Sequence, residues 1–248
     1  MDPEGTSPRT IIEVRGLSRS FGKIVALRGI DLYIREGEFL TVFGPNGAGK
    51  TTLIGILSSL VKPTSGEILY RGKSIHDDSN MLRRAIGVIG HQSLLYTQLT
   101  ARENLRFYGK MYGVADLEGR IDEVLEAIDL SHRANDASGT FSRGMLQRLS
   151  IGRAMLHRPL IYLLDEPYSG LDQHSADRLC EMLARFREDG KTILMTTHNL
   201  ERGHELSNRN VIIVKGKIEY DEPSRGEGVE SIRSTYYRLI GDEGVKKV

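Results

Sequence analysis

Between residues 44 and 52 the chain reads Gly44-Pro45-Asn46-Gly47-Ala48-Gly49-Lys50-Thr51-Thr52, three glycines followed by a lysine and two hydroxyls. The pattern is G-x-x-x-x-G-K-[ST], an order of residue types that suits a polyphosphate. Gly44, Gly47 and Gly49 carry no side chain, so the backbone can wrap closely around phosphate oxygens and aim successive N–H groups at them. Asn46 and Ala48 complete the loop. Lys50 would reach the β- and γ-phosphates as a compact charge, the Thr51 hydroxyl would ligate Mg²⁺, and Thr52 would touch the α-phosphate side. A helix dipole is worth only ~0.3–2 kcal/mol and a charge-assisted hydrogen bond ~1.5–3 kcal/mol, so the array of N–H groups must outweigh the dipole.

Other residues fit the same chemistry. The apolar run Leu160–Leu164 ends in Asp165-Glu166-Pro167, and acids at the carboxyl end of a buried parallel strand stand where catalytic groups gather in open α/β sheets. Asp165 would bind Mg²⁺ through water, and Glu166 would orient or deprotonate an attacking water; away from the glycine loop the same residues would be only an acidic turn. His198 follows the run Thr192–Thr197 and can contact a phosphate oxygen or water at the same sheet edge, or be purely structural; with His204 it makes no metal site, because no third ligand is evident. Gln92, at the mouth of the short run Ile86–Ile89, offers an uncharged amide that can ligate Mg²⁺ or hold a water, or simply face solvent. Phe21 precedes Gly22, with Val25 nearby, and serves equally well as an adenine-stacking ring or as an ordinary core residue. Ser142 in Phe141-Ser142-Arg143-Gly144-Met145 is placed to cap a helix, and with Gly144 leaves N–H groups that make a second potential anion site.

These residues need elements to hold them. The run Phe39–Phe43 predicts a strand entering the glycine loop, and Leu53, Ile54, Ile56, Leu57 and Leu60 predict a helix leaving it. Ordered structure is expected from Thr10, with Ile11–Val14 and the alternating Leu27, Ile30, Leu32 and Ile34 forming a small antiparallel layer. From about 94 to 140 the pattern becomes helical. Thr100-Ala101-Arg102-Glu103 fits a capping box, Leu105, Tyr108, Met111 and Tyr112 form one apolar stripe, and Ile121, Val124, Leu125 and Ile128 form another. Tyr96, Phe107, Tyr108 and Tyr112 exceed what a small insertion needs, and serve either its packing or a docking surface. Asp172 precedes an amphipathic helix with Leu179, Met182, Leu183 and Phe186, beside which Cys180 packs as a small hydrophobe. Val211–Val214 and Lys217–Tyr220 read as a hairpin, and Ser231–Ile240 as a short helix without chemistry.

Composition narrows the classes. A chain of 248 residues with 39% hydrophobic content can bury a full core. Its 34 basic and 33 acidic residues leave +1, so bulk charge argues for neither nucleic acid nor an anionic membrane surface. One cysteine excludes an internal disulfide and a zinc ribbon, which fits a reducing compartment. No apolar run approaches the roughly 18 residues of a membrane span, and Met1 to Thr10 lacks the core of a signal peptide. Any membrane process would need another chain to cross.

The order of these motifs resembles the ATP-binding subunits of ABC transporters over about residues 10 to 222. GPNGAGKTT is similar to their Walker A, Gln92 to the Q-loop glutamine, FSRGM to the signature, IYLLDEP to Walker B with its glutamate, SGLD to the D-loop, and His198 to the switch histidine; Phe21 takes the place of the adenine-stacking aromatic. The family's signature is commonly LSGGQ, whereas Arg143 and Met145 stand at its third and fifth positions here; S-x-G-M forms resemble exporter-type members. The resemblance implies an α/β, P-loop NTPase (RecA-like) core with an antiparallel β layer and a helical subdomain. It divides the chain into a flexible 1–9, an ATPase domain 10–222 (core and β layer 10–93 and 146–222, helical subdomain 94–145) and an extension 223–248. It also implies ATP and Mg²⁺, with Phe21 and Val25 at adenine, and Ser142, Gly144 and Asp172 completing the site of a second ATPase subunit in a head-to-tail dimer, most simply a homodimer. An integral permease would dock on the helical insertion and place the chain at the cytoplasmic face of the inner membrane, with no nucleic acid. For cargo, GHQSLLYTQLTARENLRFYGKMYGV resembles haem-exporter ATPases of cytochrome c biogenesis, and also ATPases of drug and polysaccharide exporters; soluble ATPases of iron–sulfur assembly scaffolds share the fold.

Overall fold

The computed structural model describes residues 9–75, 79–90, 93–224 and 228–241. Gln92 lies outside them. The chain opens with β1 (Thr10–Phe21), β2 (Ile24–Arg35) and β3 (Phe39–Phe43), followed by α1 (Lys50–Leu57), β4 (Ser65–Tyr70), β5 (Lys73–Ser74), α2 (Ser79–Ala85) and β6 (Ile86–Ile89). Helices α3 (Ala101–Tyr112), α4 (Leu117–Ala127) and α5 (Arg143–Met155) come next, then β7 (Ile161–Asp165), α6 (Gln173–Glu188), β8 (Thr192–Thr197) and α7 (Leu200–Glu205). The described part closes with β9 (Arg209–Val214), β10 (Lys217–Pro223) and α8 (Val229–Ile240).

Two sheets result. The antiparallel one runs β2-β1-β4-β5, and the alternation in β2 buries Leu27, Ile30, Leu32 and Ile34 as its period-two pattern requires. The other runs β10-β9-β3-β8-β7-β6, with β9, β3, β8, β7 and β6 parallel and β10 an antiparallel edge. Strands β3, β7 and β8 are buried along their whole length, which is why they read as unbroken apolar or Thr-containing runs. One core joins the antiparallel layer and α1 to the sheet; a second joins its opposite side to α3, α4, α5 and α6. Burying one Leu, Ile or Phe of these cores contributes about 1.5–3 kcal/mol.

Two apolar stripes are shorter than their spacing predicts. Helix α1 ends at Leu57 with Ser58 as C-cap, so Leu60 falls beyond it and is 76% exposed. In α3, Leu105 is buried while Met111 and Tyr112 face outward, so the stripe divides into a core half and a surface half. The capping box holds as expected, with Thr100 Oγ1 accepting from the Glu103 N–H at 3.1 Å and the Glu103 carboxylate accepting from the Thr100 N–H at 2.8 Å. Among the described residues, no helix is long and apolar enough to cross a membrane.

Candidate nucleotide-binding site

Parallel strands release their chain at the same sheet edge, and here β3, β7 and β8 release Gly44, Glu166 and His198 side by side. The glycine loop is clamped on two sides. A Cβ at Gly44 would lie 2.4 Å from the Ile213 carbonyl oxygen of β9, and one at Gly49, whose φ is +110°, would lie 2.6 Å from the Ala26 carbonyl oxygen of β2. The Ala48 carbonyl accepts from Gly216 N–H at 3.0 Å, and the Gly216 carbonyl from Arg28 N–H at 2.8 Å, so the β9–β10 turn stitches the loop to β2. Only glycine fits those two positions.

Lys50 opens α1 almost wholly buried. Its Nζ donates to the Gly44 and Pro45 carbonyls at 2.6 and 3.3 Å and pairs with Glu166 Oε1 at 3.3 Å. The other oxygen, Glu166 Oε2, accepts from His198 Nδ1 at 2.9 Å and from the His198 N–H at 3.3 Å. A carboxylate accepts only, so the histidine proton sits on Nδ1 and Nε2 is the nitrogen left for another partner. Glu166 itself is held at φ +50°, a left-handed conformation that costs about 1–3 kcal/mol in a non-glycine residue. Its N–H donates to the Thr196 carbonyl at 3.0 Å, and Thr196 Oγ1 donates to Asp165 Oδ1 at 2.6 Å, fixing both acids to the neighbouring strand.

The fit to a nucleotide and a metal can be tested on these residues. Gly49 leaves α1 without any side-chain cap, as Asp116 and Gly228 leave α4 and α8, whereas Thr100, Ser142, Asp172 and Asn199 cap α3, α5, α6 and α7; of these three uncapped helices α1 alone begins with a buried lysine. Uncapped N–H groups beside a buried ammonium form a cradle for a polyphosphate. Thr51 and Asp165 add hard oxygen donors of the kind Mg²⁺ takes. Among the described residues no group of three or more His, Cys, Asp or Glu side chains would hold a metal ion. The donor set therefore fits an ion completed by phosphate oxygens.

The remaining residues lie further out. Asn46 and Thr51 are exposed on the loop, and Thr52 is half-buried behind them. Phe21 sits at the tip of the β1–β2 hairpin, 46% exposed, which excludes the core reading; the Arg19 guanidinium lies 4.3 Å from its ring centroid, and Val25 and Ile24 are exposed beside it. Ser142 caps α5, its Oγ accepting from the Met145 N–H at 3.3 Å, and Gly144 is buried just inside. Asp172 has a duty the sequence reading omitted: it caps α6, Oδ1 accepting from the Ser175 N–H at 2.8 Å and Oδ2 from the Ser175 hydroxyl at 3.2 Å, and these bonds hold its carboxyl below the usual range. Burial raises the Cys180 thiol to about 11, as an inert packing residue requires.

Sequence reasoning missed Tyr236. It is buried in one cluster with Leu200, Ile212, Ile232 and Phe43, the residue that precedes the glycine loop, while Arg233 pairs with Glu201 of α7 at 2.8 Å. Burial, Tyr237 and the charge of Glu166 push its hydroxyl upward, so the helix read as free of chemistry lies within electrostatic reach of the site. The only available signal was the Ile232–Tyr236 spacing on an otherwise polar helix.

Residues 27–169 match the ABC transporter family. The chain is 37% identical over 210 residues to the linearmycin resistance ATP-binding protein LnrL of Bacillus subtilis (strain 168), covering 84% of this chain and 68% of that protein. It is 35% identical over 211 residues to the doxorubicin resistance ATP-binding protein DrrA of Mycobacterium tuberculosis (strain ATCC 25618 / H37Rv), covering 84% and 64%. Among solved structures, an ATP binding subunit of an ABC transporter superposes with TM-score 0.81 at 28% identity, covering 92% of this chain and 99% of that one. A dimeric ATP-binding cassette in a post-hydrolysis state, bound to ADP and Pi, superposes with TM-score 0.78 at 31% identity, covering 87% and 100%. The fold is that of the P-loop NTPase cassettes. The chain belongs to the ABC transporter family, as an ATP-binding subunit that hydrolyses ATP.

Proposed function

We propose that this subunit powers export of a drug-like compound through a separate membrane permease, closing on ATP as a head-to-tail homodimer. The observation that carries the dimer is the distribution of the site: Lys50, Glu166 and His198 are bonded to one another at one sheet edge, while Ser142 and Gly144 open a separate helix, α5, with Gly144 lying against Ser175 of α6. One chain supplies half of each site. The antibiotic-resistance names of the two relatives favour a drug-like cargo over haem. The exposed Tyr96, Phe107, Met111 and Tyr112 of the helical region form the face on which the permease docks, holding the chain at the cytoplasmic side of the membrane.

The Lys50–Glu166 pair describes the resting charge balance. An arriving γ-phosphate takes over the ammonium, and Glu166, still bonded to His198, is released to accept a proton from water. His198 Nε2 then lies toward the phosphate, and Phe21 with Val25 covers the adenine. Thr51 and Asp165, with Gln92, would hold Mg²⁺. When bound, the ion would neutralise charge on the β- and γ-phosphates.

Glu166→Gln tests the assignment, because the amide keeps the size and cannot take the proton. ATP binding is expected to persist, turnover to fall about 10²-fold or more, and an ATP-trapped dimer to appear on size exclusion. Normal turnover would remove Glu166 from the role. Recovery from solubilised membranes with a multi-span protein supports the transport reading, and recovery only with a soluble scaffold counts against it.

A further inference from the structure

Arg143 stands where the signature of the family commonly has glycine, so whatever its side chain does is additional to the shared pattern. The side chain does not simply extend into solvent. A Cβ built on Gly170 would lie 2.3 Å from Arg143 Nη1 and 3.0 Å from its Cζ, so the guanidinium rests on the backbone of the loop between Glu166 and α6. The next residue of the turn makes a matching contact. A Cβ on Gly144 would lie 2.2 Å from Ser175 Oγ, and Ser175 is the residue bonded to Asp172 through both its N–H and its hydroxyl. The start of α5 thus abuts this segment on both sides of Asp172.

The loop itself is stiff. Ser169 N–H donates to the Glu166 carbonyl at 3.0 Å and Leu171 N–H to the Tyr168 carbonyl at 3.3 Å, with Pro167 fixed between them. These bonds connect the residues flanking Gly170 back to the Glu166 and Tyr168 carbonyls, a short route from Gly170 to Glu166. Arg143, Gln147, Glu166 and Ser169 also share the walls of one cavity of about 210 Å³, so the turn and the catalytic carboxylate border the same space.

We propose that Arg143 is a positioning residue that ties the Ser142–Gly144 turn to the Ser169–Asp172 loop of its own chain. This rests on the dimer reading above. In a head-to-tail dimer the turn meets the ATP of the partner while the loop leads back to this chain's Glu166, so Arg143 links the occupancy of one site to the geometry of the other. Lysine cannot replace it, because a point charge on a flexible stem lacks the flat guanidinium that lies against the loop.

Steady-state ATPase of the full chain, with Mg²⁺, tests this in wild type, Arg143→Ala, Arg143→Lys, Gly170→Ala and the Arg143→Ala/Gly170→Ala pair. Arg143→Ala is expected to lower kcat about five- to tenfold while KM for ATP stays within about twofold, with Arg143→Lys close to it. Gly170→Ala displaces the guanidinium and, at φ +71°, also strains the loop backbone, so it is expected to be at least as slow as Arg143→Ala, and the double variant no slower than Gly170→Ala. Thermal midpoints of Arg143→Ala and wild type agree, which a merely structural role would not give together with the kcat loss. An unchanged kcat in Arg143→Ala, or effects that multiply in the double variant, overturns the proposal. Should Gly170→Ala not fold, the Arg143→Ala kcat decides alone. A wild type that hydrolyses ATP but never dimerises on it sinks the dimer reading instead, whichever way the Arg143 variants behave.

Discussion

Helices α1 and α5 both begin at a glycine-bearing turn, and they solve the problem of their first N–H groups in opposite ways. Helix α1 starts at Gly49, which has no side chain to offer, and places a buried lysine at its first position. Helix α5 starts at Ser142, whose hydroxyl meets the Met145 N–H, and places an exposed arginine there. The first helix is left incomplete for a ligand, and its loop is held open by contacts with β2 and β9 instead. The second satisfies itself. On the proposed dimer, a half-site that waits for another chain must stay folded without it, and a self-capped turn does so at little cost; the half-site that binds first can remain unsatisfied because its neighbours hold its shape.

The contrast is broken most severely at Lys50. Lys50→Ala removes the charge that reaches the phosphates and leaves the Glu166 carboxylate without its cation, so ATP affinity should fall about 10²-fold and turnover should vanish. Titration with a fluorescent ATP analogue measures the first, phosphate release the second. An affinity within a few-fold of wild type would mean that the backbone alone binds the nucleotide. Phe21→Ala comes next: loss of a stacked ring should weaken ATP by about 1–3 kcal/mol, Phe21→Trp should retain it, and a GTP titration in parallel should shift by a similar amount, because every base offers a π-face. Equal affinity in Phe21→Ala would leave the exposed hairpin tip without a part in binding. The smallest effect sharpens the comparison. Ser142→Ala should lower stability by about 1 kcal/mol in denaturant unfolding, and Ser142→Asp should restore it because aspartate caps as well as serine. On the proposed dimer the aspartate sets a negative charge where the partner's γ-phosphate would lie, so stability should return while ATP-dependent dimerisation should not. Dimers formed normally by Ser142→Asp would separate capping from nucleotide contact.

What could be read ahead of the fold follows from distance along the chain. The glycine loop, the strands feeding Glu166 and His198, and the capping box of α3 are contiguous patterns, and strand ends converge at one edge by the geometry of parallel sheets. Periodicity overran α1 at Leu60, because spacing alone does not say where Ser58 stops a helix; in α3 the end at Gly113 was legible, but spacing did not say that Met111 lies beyond the part of the helix that meets the core. Contacts between remote segments left no local trace. Tyr236, on the last described helix, packs with Phe43 beside the glycine loop, Arg143 meets Gly170 across an intervening strand, and Thr196 fixes Asp165 from the adjacent one. Phe21 was undecided because stacking and core packing use the same ring; its exposure separates them.

The stitch between Ala48 and Gly216 has a consequence for synthesis. Strand β3, which carries the glycine loop, lies between β8 and β9, and the loop is closed by the turn after β9. The first strand of the parallel sheet to leave a ribosome is thus among the last to find its neighbours. A nascent chain holding Gly44 to Thr52 but lacking residues near 216 has the nucleotide motif without its housing, so competence to hold ATP arrives only when the final hairpin has emerged.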